Sequence, residues 1–155
     1  MDGRISSDPV LLLGDPRLRR VCDPVTGVGE PGFRAEIRRL HAALEAFRAG
    51  HGFGRGIAAP QIGIARRLIA LHLEAGPQTL VNPVITWRSR PTFTLWDDCM
   101  SFPELLVRVR RHRSISLTFL DETGRERSWE RLGPAESELL QHESDHLDGV
   151  LALDR

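Results

Sequence analysis

The chain has 155 residues and a mass of 17.4 kDa, and its 21 cationic and 21 acidic side chains give a formal net charge of zero. This length predicts one domain over residues 1–155, and the balanced charge argues against nucleic acid or an anionic membrane as the main partner. All 21 cations are arginine, which excludes chemistry that needs a lysine, such as a Schiff base or the phosphate-binding lysine of a P-loop.

The cysteine count and the start of the chain predict a cytoplasmic protein with no membrane association. Cys22 and Cys99 are too few for a disulfide scaffold and fit a reducing compartment, where a thiol serves as a metal ligand or a nucleophile. The apolar run at residues 10–13 is too short for a signal peptide or a membrane span.

The first predicted element is a helix over residues 31–53, which follows an extended segment rich in proline and glycine. Apolar side chains recur at helical spacing, and Gly50 and Gly52 end the pattern. The apolar stripe consists of Phe33, Ile37, Leu40, Leu44 and Phe47.

The middle of the chain has the composition of β-strands, with apolar runs and many β-branched residues. The predicted strands cover residues 68–73, 80–87, 92–96 and 107–120. A turn sequence at residues 121–124 predicts a hairpin, with a returning strand over residues 125–132.

The last predicted element is a helix that begins at Gly133 and Pro134 and ends at Asp148 and Gly149. The order of helix, strands and helix predicts an α+β fold. In this fold a mostly antiparallel sheet packs around the C-terminal helix, and one further helix lies near the N-terminus.

This C-terminal helix carries the sequence His-Glu-Ser-Asp-His at residues 142–146, which is an H-E-x-x-H motif. Residues four apart share a helix face, so His142 and His146 can bind one metal ion, and Glu143 can act on a water molecule there. The simpler alternative is a polar helix with two surface histidines. A conventional metallopeptidase is another alternative.

A third ligand is expected upstream of the motif. Ala152 stands where a metzincin would have its further histidine, and no downstream helix precedes Arg155, which weighs against a conventional metallopeptidase. Cys99 follows a predicted strand in a polar segment, where a thiolate is a strong ligand for a borderline-soft divalent metal. The candidates are Cys22, Cys99, His41, His51, His72 and His112.

A segment of small residues, 54–61, precedes the first predicted strand and ends in Pro60 and Gln61. Its glycines permit a ligand to approach the backbone closely, and the Gln61 amide can donate a hydrogen bond to an oxyanion. A plain loop is the simpler interpretation. A phosphate-binding loop fits poorly, because no strand precedes the segment and the G-x-G-x-x-G pattern is absent.

Three segments together resemble the signature motifs of the peptide deformylases, in the same order and with similar spacing. They are Gly-Arg-Gly-Ile-Ala-Ala-Pro-Gln at 54–61, Cys-Met-Ser at 99–101 and Gln-His-Glu-Ser-Asp-His-Leu-Asp-Gly at 141–149. The resemblance implies a hydrolase that removes the formyl group from N-formylmethionyl peptides and releases formate. It implies N-formylated nascent peptides or a small formyl substrate as partners, and an association with the ribosome.

The resemblance also implies a divalent metal ion bound by Cys99, His142 and His146. Fe(II) is expected, and zinc, nickel or cobalt can replace it in preparations. Glu143 would take a proton from the attacking water and deliver it to the leaving amine.

The remaining residues of the implied site stabilise charge and bind substrate. The Gln61 side chain and the Met100 backbone N–H would hold the developing oxyanion, together with the metal. The substrate-binding residues would be Gly54, Arg55, Gly56, Glu138 and Leu139.

Some positions depart from the family pattern. Arg55 replaces an aliphatic residue of the substrate pocket, and Glu138 stands where the family has an apolar one, so the two are expected to pair. Asp97 and Asp98 replace a Glu-Gly pair, and Asp97 is expected to pair with Arg111.

These departures leave two alternatives to an ordinary deformylase. One is a deformylase-like amidohydrolase with altered specificity, which Arg55 and Glu138 motivate. The other is a non-catalytic binding protein with the same fold, against which the intact Glu143 argues.

Overall fold

The structure is a computed structural model that describes residues 7–155, and within these residues it has two α-helices and seven strands. The helices are α1 (Phe33–His51) and α2 (Pro134–Leu147). The strands are β1 (Gly56–Ala58), β2 (Leu68–Leu73), β3 (Gly76–Arg88), β4 (Thr92–Asp97), β5 (Val107–His112), β6 (Ile115–Leu120) and β7 (Glu126–Trp129). Neither helix combines the length and apolar character that crossing a membrane requires.

Five strands form one antiparallel sheet in the order β1-β2-β3-β6-β7, while β4 and β5 pair in a separate antiparallel hairpin. The predicted α+β class, with a mostly antiparallel sheet and one helix near each end of the chain, is therefore confirmed. The separate hairpin matters for the site, because Cys99 lies in the connection between β4 and β5 whereas both motif histidines lie on α2.

The large sheet lies between the two helices. Strand β2 shows this arrangement most clearly, since Leu68 and Ala70 pack with the apolar stripe of α1. The alternate residues Ile69 and Leu71 pack in the same cluster as the apolar residues of α2. Successive strand side chains point to opposite faces, so a strand covered on both faces is an unbroken apolar run.

The predicted strand over residues 107–120 was wrong in one respect, because the chain divides it between the two sheets. Strand β5 pairs with β4, whereas β6 pairs with β3 and β7. The break falls at Arg113 and Ser114, where the Ser114 N–H donates to Ser89 Oγ at 3.0 Å and its hydroxyl to Leu132 O at 2.8 Å. The apolar residues on the two sides of the break, Val107 and Val109 and then Ile115, Leu117 and Phe119, share one parity, so they fit a single strand.

The interpretation of residues 54–61 as a plain loop was incomplete. Residues Gly56–Ala58 form the edge strand β1, and Ala59–Ile62 form one short 3₁₀ turn. A run of three strand residues is too short to give a periodic signal. Strand β7 is likewise shorter than the predicted 125–132.

The turn after α2 requires a glycine, which gives a testable prediction for stability. Gly149 has a φ of 72°, and a Cβ atom there would lie 2.5 Å from the backbone oxygen of Arg19. We expect Gly149→Ala to lower the free energy of unfolding by roughly 1–3 kcal/mol, because both the backbone angle and the contact are unfavourable. Urea unfolding would measure this. Gly27→Ala is the matched control, since a Cβ there meets no atom within 4 Å.

Candidate metal centre

Helix α2 turns the three motif side chains into the protein. His142, Glu143 and His146 are all buried, as is most of the helix from Ser137 onward. The predicted placement of the motif on a helix is therefore confirmed, and the alternative of two surface histidines is wrong.

The donor atoms of Cys99, His142 and His146 converge at one point, all within 4.8 Å of one another. The two histidine Nε2 atoms are 3.1 Å apart, and Cys99 Sγ lies 3.4 Å from Nε2 of His146. Burial lowers the pKa of His146 well below its usual value, so its imidazole is neutral, which is the form that binds metals. A thiolate and two imidazoles suit Zn²⁺ or Fe(II) and leave a coordination position open.

The other candidate ligands lie elsewhere. Cys22 is buried in the core beside α2, and burial raises the pKa of its thiol to about 11. His41 is half-buried on α1, and its Nε2 atom lies 2.7 Å from Thr79 Oγ1. The other histidines also have partners outside the donor cluster. His51 contacts Phe47, His72 contacts Glu45, and His112 contacts Ser89.

A chain of buried ionic groups holds His142 in place. Its Nδ1 atom lies 2.7 Å from Asp97 Oδ2, which leaves Nε2 facing the other donors. Arg111 donates to the same Asp97 oxygen at 3.0 Å and to Asp145 at 2.9 Å. The expected pair of Asp97 and Arg111 is therefore present. The role of Asp145 was missed, although its place one turn after His142 in the motif was a usable signal.

Because these ionic groups are buried, we expect replacement of Arg111 to destabilise the protein strongly. The side chains of Arg111 and Asp97 are only 3% and 5% exposed. We expect Arg111→Met to lower the free energy of unfolding by about 3–5 kcal/mol, because it leaves a buried carboxylate without its cation. Arg108→Met in the same strand is the control, since Arg108 is exposed. Urea unfolding of both variants would check the difference, and equal losses would contradict the prediction.

Gln61 is fixed beside the donor atoms by its own turn. Its side-chain oxygen accepts from the Ala58 N–H at 2.9 Å, so the amide nitrogen points to Cys99 Sγ at 3.5 Å and Ser101 Oγ at 3.1 Å. The sequence predicted the amide donor but not the contact with Ser101. A pre-oriented N–H donor next to the metal ligands can stabilise negative charge there.

Glu143 lies beside the donors in a site that disfavours its ionised form. Burial raises the pKa of its carboxyl to about 7, with smaller and opposing effects from neighbouring charges. Its Oε2 atom is buried and has no hydrogen-bond partner among the described residues. Gly56 packs close by, since a Cβ there would lie 3.5 Å from Glu143 Cγ. A carboxyl group with a pKa near neutrality can both accept and donate a proton.

A cavity of about 320 Å³ lies beside the donor cluster. Cys99, His142 and Glu143 line it together with Met100. The five expected substrate-binding residues line the same cavity: Gly54, Arg55, Gly56, Glu138 and Leu139. The expected ion pair between Arg55 and Glu138 is present on its wall.

A family model described as Polypeptide deformylase matches residues 7–155 of the chain. The chain belongs to the polypeptide deformylase family. Members are metalloenzymes, and the donor atoms of Cys99, His142 and His146 lie close enough together to hold a metal ion. The predicted family and enzyme class are thereby confirmed.

Individual deformylases support this assignment. The peptide deformylase of Thermotoga neapolitana is 36% identical over 146 residues, which cover 94% of this chain and 85% of the relative. The crystal structure of the Thermotoga maritima enzyme superposes with a TM-score of 0.86 at 32% identity, covering 97% of both chains. A Synechococcus elongatus peptide deformylase in complex with actinonin also gives a TM-score of 0.86, at 31% identity, covering 97% of this chain and 80% of that one.

Proposed function

We propose that this protein hydrolyses the formamide bond of N-formylmethionyl peptides and releases formate and the free amine. The observation that carries the proposal is the cavity that Glu143 lines together with Cys99 and His142, which are two of the three convergent donors. In this proposal the chain forms one catalytic domain.

Cys99, His142 and His146 are the proposed metal ligands, and Fe(II) is the proposed native ion, with zinc, nickel or cobalt as substitutes. Once bound, a divalent cation supplies Lewis acidity, which acidifies water and polarises the formyl oxygen. The contact of His142 with Asp97 fixes the ring so that Nε2 remains available as a ligand.

Glu143 is the proposed acid–base residue. Its carboxylate takes a proton from water as the water oxygen bonds to the formyl carbon. It then gives that proton to the amide nitrogen as the C–N bond breaks, so the products are formate and an amine. The elevated pKa of about 7 suits both steps near neutral pH.

Two N–H donors are proposed to hold the formyl oxygen as it gains negative charge: the Gln61 side chain and the Met100 backbone. The hydrogen bond from Ala58 orients the Gln61 amide before substrate arrives, so little reorganisation is needed. Such a donor typically contributes about 10²–10³ in rate.

The substrate backbone is proposed to bind along residues 54–56. Among the described residues, strand β1 is at the edge of the large sheet and pairs with β2 alone. An extended peptide can add to such an edge as a further strand. The sulfur-bearing side chain would then enter the cavity lined by Arg55, Glu138 and Leu139.

Nascent peptides that still carry the formyl group are the proposed partners, with the cytoplasm as location and an association with the ribosome. The expected substrate supports this setting, because N-formyl groups are carried by chains emerging from the ribosome.

The test is formate release from a panel of N-formyl tripeptides, among them formyl-Met-Ala-Ser, by protein loaded anaerobically with Fe(II). Metal-dependent release of formate and free amine in equal amounts is expected. No release from any member of the panel by protein that contains metal would overturn the proposal.

A further inference from the structure

A second cavity, of about 140 Å³, lies on the other side of the buried ionic chain from the metal centre. It shares no lining residue with the cavity that contains Glu143. Arg111 and Asp145 line this second cavity, whereas Asp97, which joins Arg111 to His142, lines the first one. A ligand in the second cavity would therefore leave the substrate site free.

Arginine side chains dominate the wall of the second cavity, and they come from three parts of the chain. They are Arg88 from β3, Arg110 and Arg111 from β5, and Arg155 after the short 3₁₀ turn Ala152–Asp154. Asp145 supplies the one carboxylate side chain among the described residues of this wall. Its Oδ2 accepts from Arg111 at 2.9 Å and its Oδ1 from Arg155 at 2.8 Å. Four guanidinium groups thus outnumber the carboxylates by two, even when Asp97 beyond Arg111 is counted.

The excess positive charge belongs to Arg88 and Arg110. Both side chains are exposed, and neither forms an ion pair or a hydrogen bond with another side chain in the described part of the molecule. Arg88 lies in the large sheet and Arg110 in the separate hairpin, so the fold itself brings these like charges to one cavity. Like charges at close range repel one another, and an anion between them would relieve that repulsion.

Arg111 is the buried member of the wall, with a side chain only 3% exposed. Its two terminal nitrogens donate to Asp145 and Asp97. The remaining donor, Nε–H, is buried and has no hydrogen-bond partner among residues 7–155. A buried donor without a partner is unfavourable and calls for an acceptor. This unused donor therefore favours an acceptor group as the occupant of the cavity that Arg111 lines.

The neutral polar groups of the wall are already paired with one another or with the backbone. The Gln141 side-chain oxygen accepts from the His112 N–H at 2.9 Å, and its nitrogen donates to His112 O at 2.8 Å and to Ser137 O at 2.9 Å. His112 Nδ1 donates to Ser89 O at 2.7 Å. The unused hydrogen-bonding capacity of the wall therefore consists mainly of guanidinium donors.

We propose that the second cavity is a binding site for a small phosphate-class oxoanion. Guanidinium groups are planar forks that match the oxygens of such an ion in pairs, and several of them can surround one tetrahedral anion. The small volume suits a single phosphate group, either as a free ion or at the end of a small ester, rather than an extended polyanion. The inference does not depend on the proposed function, since it needs neither a formamide nor a metal ion.

The experiment is a calorimetric titration of the metal-loaded protein with inorganic phosphate, at an ionic strength of about 0.15 M set with sodium chloride. We expect one phosphate to bind per chain. The double substitution Arg88→Gln with Arg110→Gln is expected to weaken this binding at least about tenfold, because it removes two charged donors. Both side chains are exposed, so the variant removes no buried contact.

The matched control is Arg90→Gln with Arg108→Gln, which lowers the net charge equally at two exposed arginines outside the cavity. Its phosphate affinity is expected to stay within about twofold of wild type. Equal weakening in both double variants would show diffuse charge attraction and overturn the proposal. Unchanged affinity in the first variant would place the phosphate elsewhere, for example on the metal ion, and would overturn it as well.

A parallel titration with ribose 5-phosphate distinguishes the two sources of the phosphate group. Tighter binding of the ester, again lost in the Arg88 and Arg110 variant, would support the site with a small phosphomonoester as its ligand. Tighter binding of inorganic phosphate would support the site with the free ion as its ligand. Absence of binding by both compounds to the wild-type protein would overturn the proposal and leave the proposed hydrolysis untouched.

Discussion

Replacing Glu143 with alanine is expected to lower kcat for formate release by about 10²–10⁴, because it removes the group that moves the proton. The same variant is expected to keep its metal, since Glu143 is not among the three convergent donors. The measurement is formate release alongside metal analysis of the same sample. Loss of activity with metal retained would separate a chemical role from a structural one.

A control for this prediction lies on the same helix. Glu136 is exposed in the first turn of α2, so Glu136→Ala changes the same residue type away from the cavity. Its kcat is expected to stay within about twofold of wild type, since surface substitutions have small effects. Full activity of Glu143→Ala would exclude the proposed acid–base role, and it would favour a different proton acceptor in the cavity.

Replacing Cys99 with serine is expected to weaken metal binding at least about a hundredfold, because a hydroxyl is a far poorer ligand than a thiolate. Even the loss of a residue that only orients a ligand lowers metal affinity about 10–100-fold. Competition with a chelator, followed by metal analysis, would measure the affinity. Activity at low metal concentration is expected to fall in parallel.

Cys22→Ser provides the comparison for this variant, because Cys22 lies in the core beside α2 and away from the donor cluster. It is expected to lose some stability, since burial of a hydroxyl is unfavourable, but to retain wild-type metal affinity. Equal metal affinity in Cys99→Ser and wild-type protein would remove Cys99 from the site.

The sequence was most informative where one physical signal was strong. The apolar stripe from Phe33 to Phe47 predicted α1 closely, because helical periodicity over four turns leaves little ambiguity. The i and i+4 spacing of His142 and His146 predicted their convergence for the same reason. The sequence also predicted the pairs Asp97–Arg111 and Arg55–Glu138, and both are present in the structure.

The features that the sequence did not predict depend on contacts between residues far apart in the chain. The division between β5 and β6 depends on which partner strand is nearby, and no local pattern records it. The short strand β1 exists because β2 offers it an edge, not because three residues have a strong preference. The orientation of the Gln61 amide toward Ser101 likewise arises from the folded turn.

The separate hairpin of β4 and β5 also affects how the molecule is held together. Cys99 belongs to a small apolar cluster with Phe102, Val109 and Ala152, distinct from the clusters that bury the two helices. An ion held by Cys99 and the two histidines would act as a cross-link between this small cluster and α2. Chelation would then loosen the hairpin locally, and its amide hydrogens would exchange with solvent sooner than those of β2 and β3.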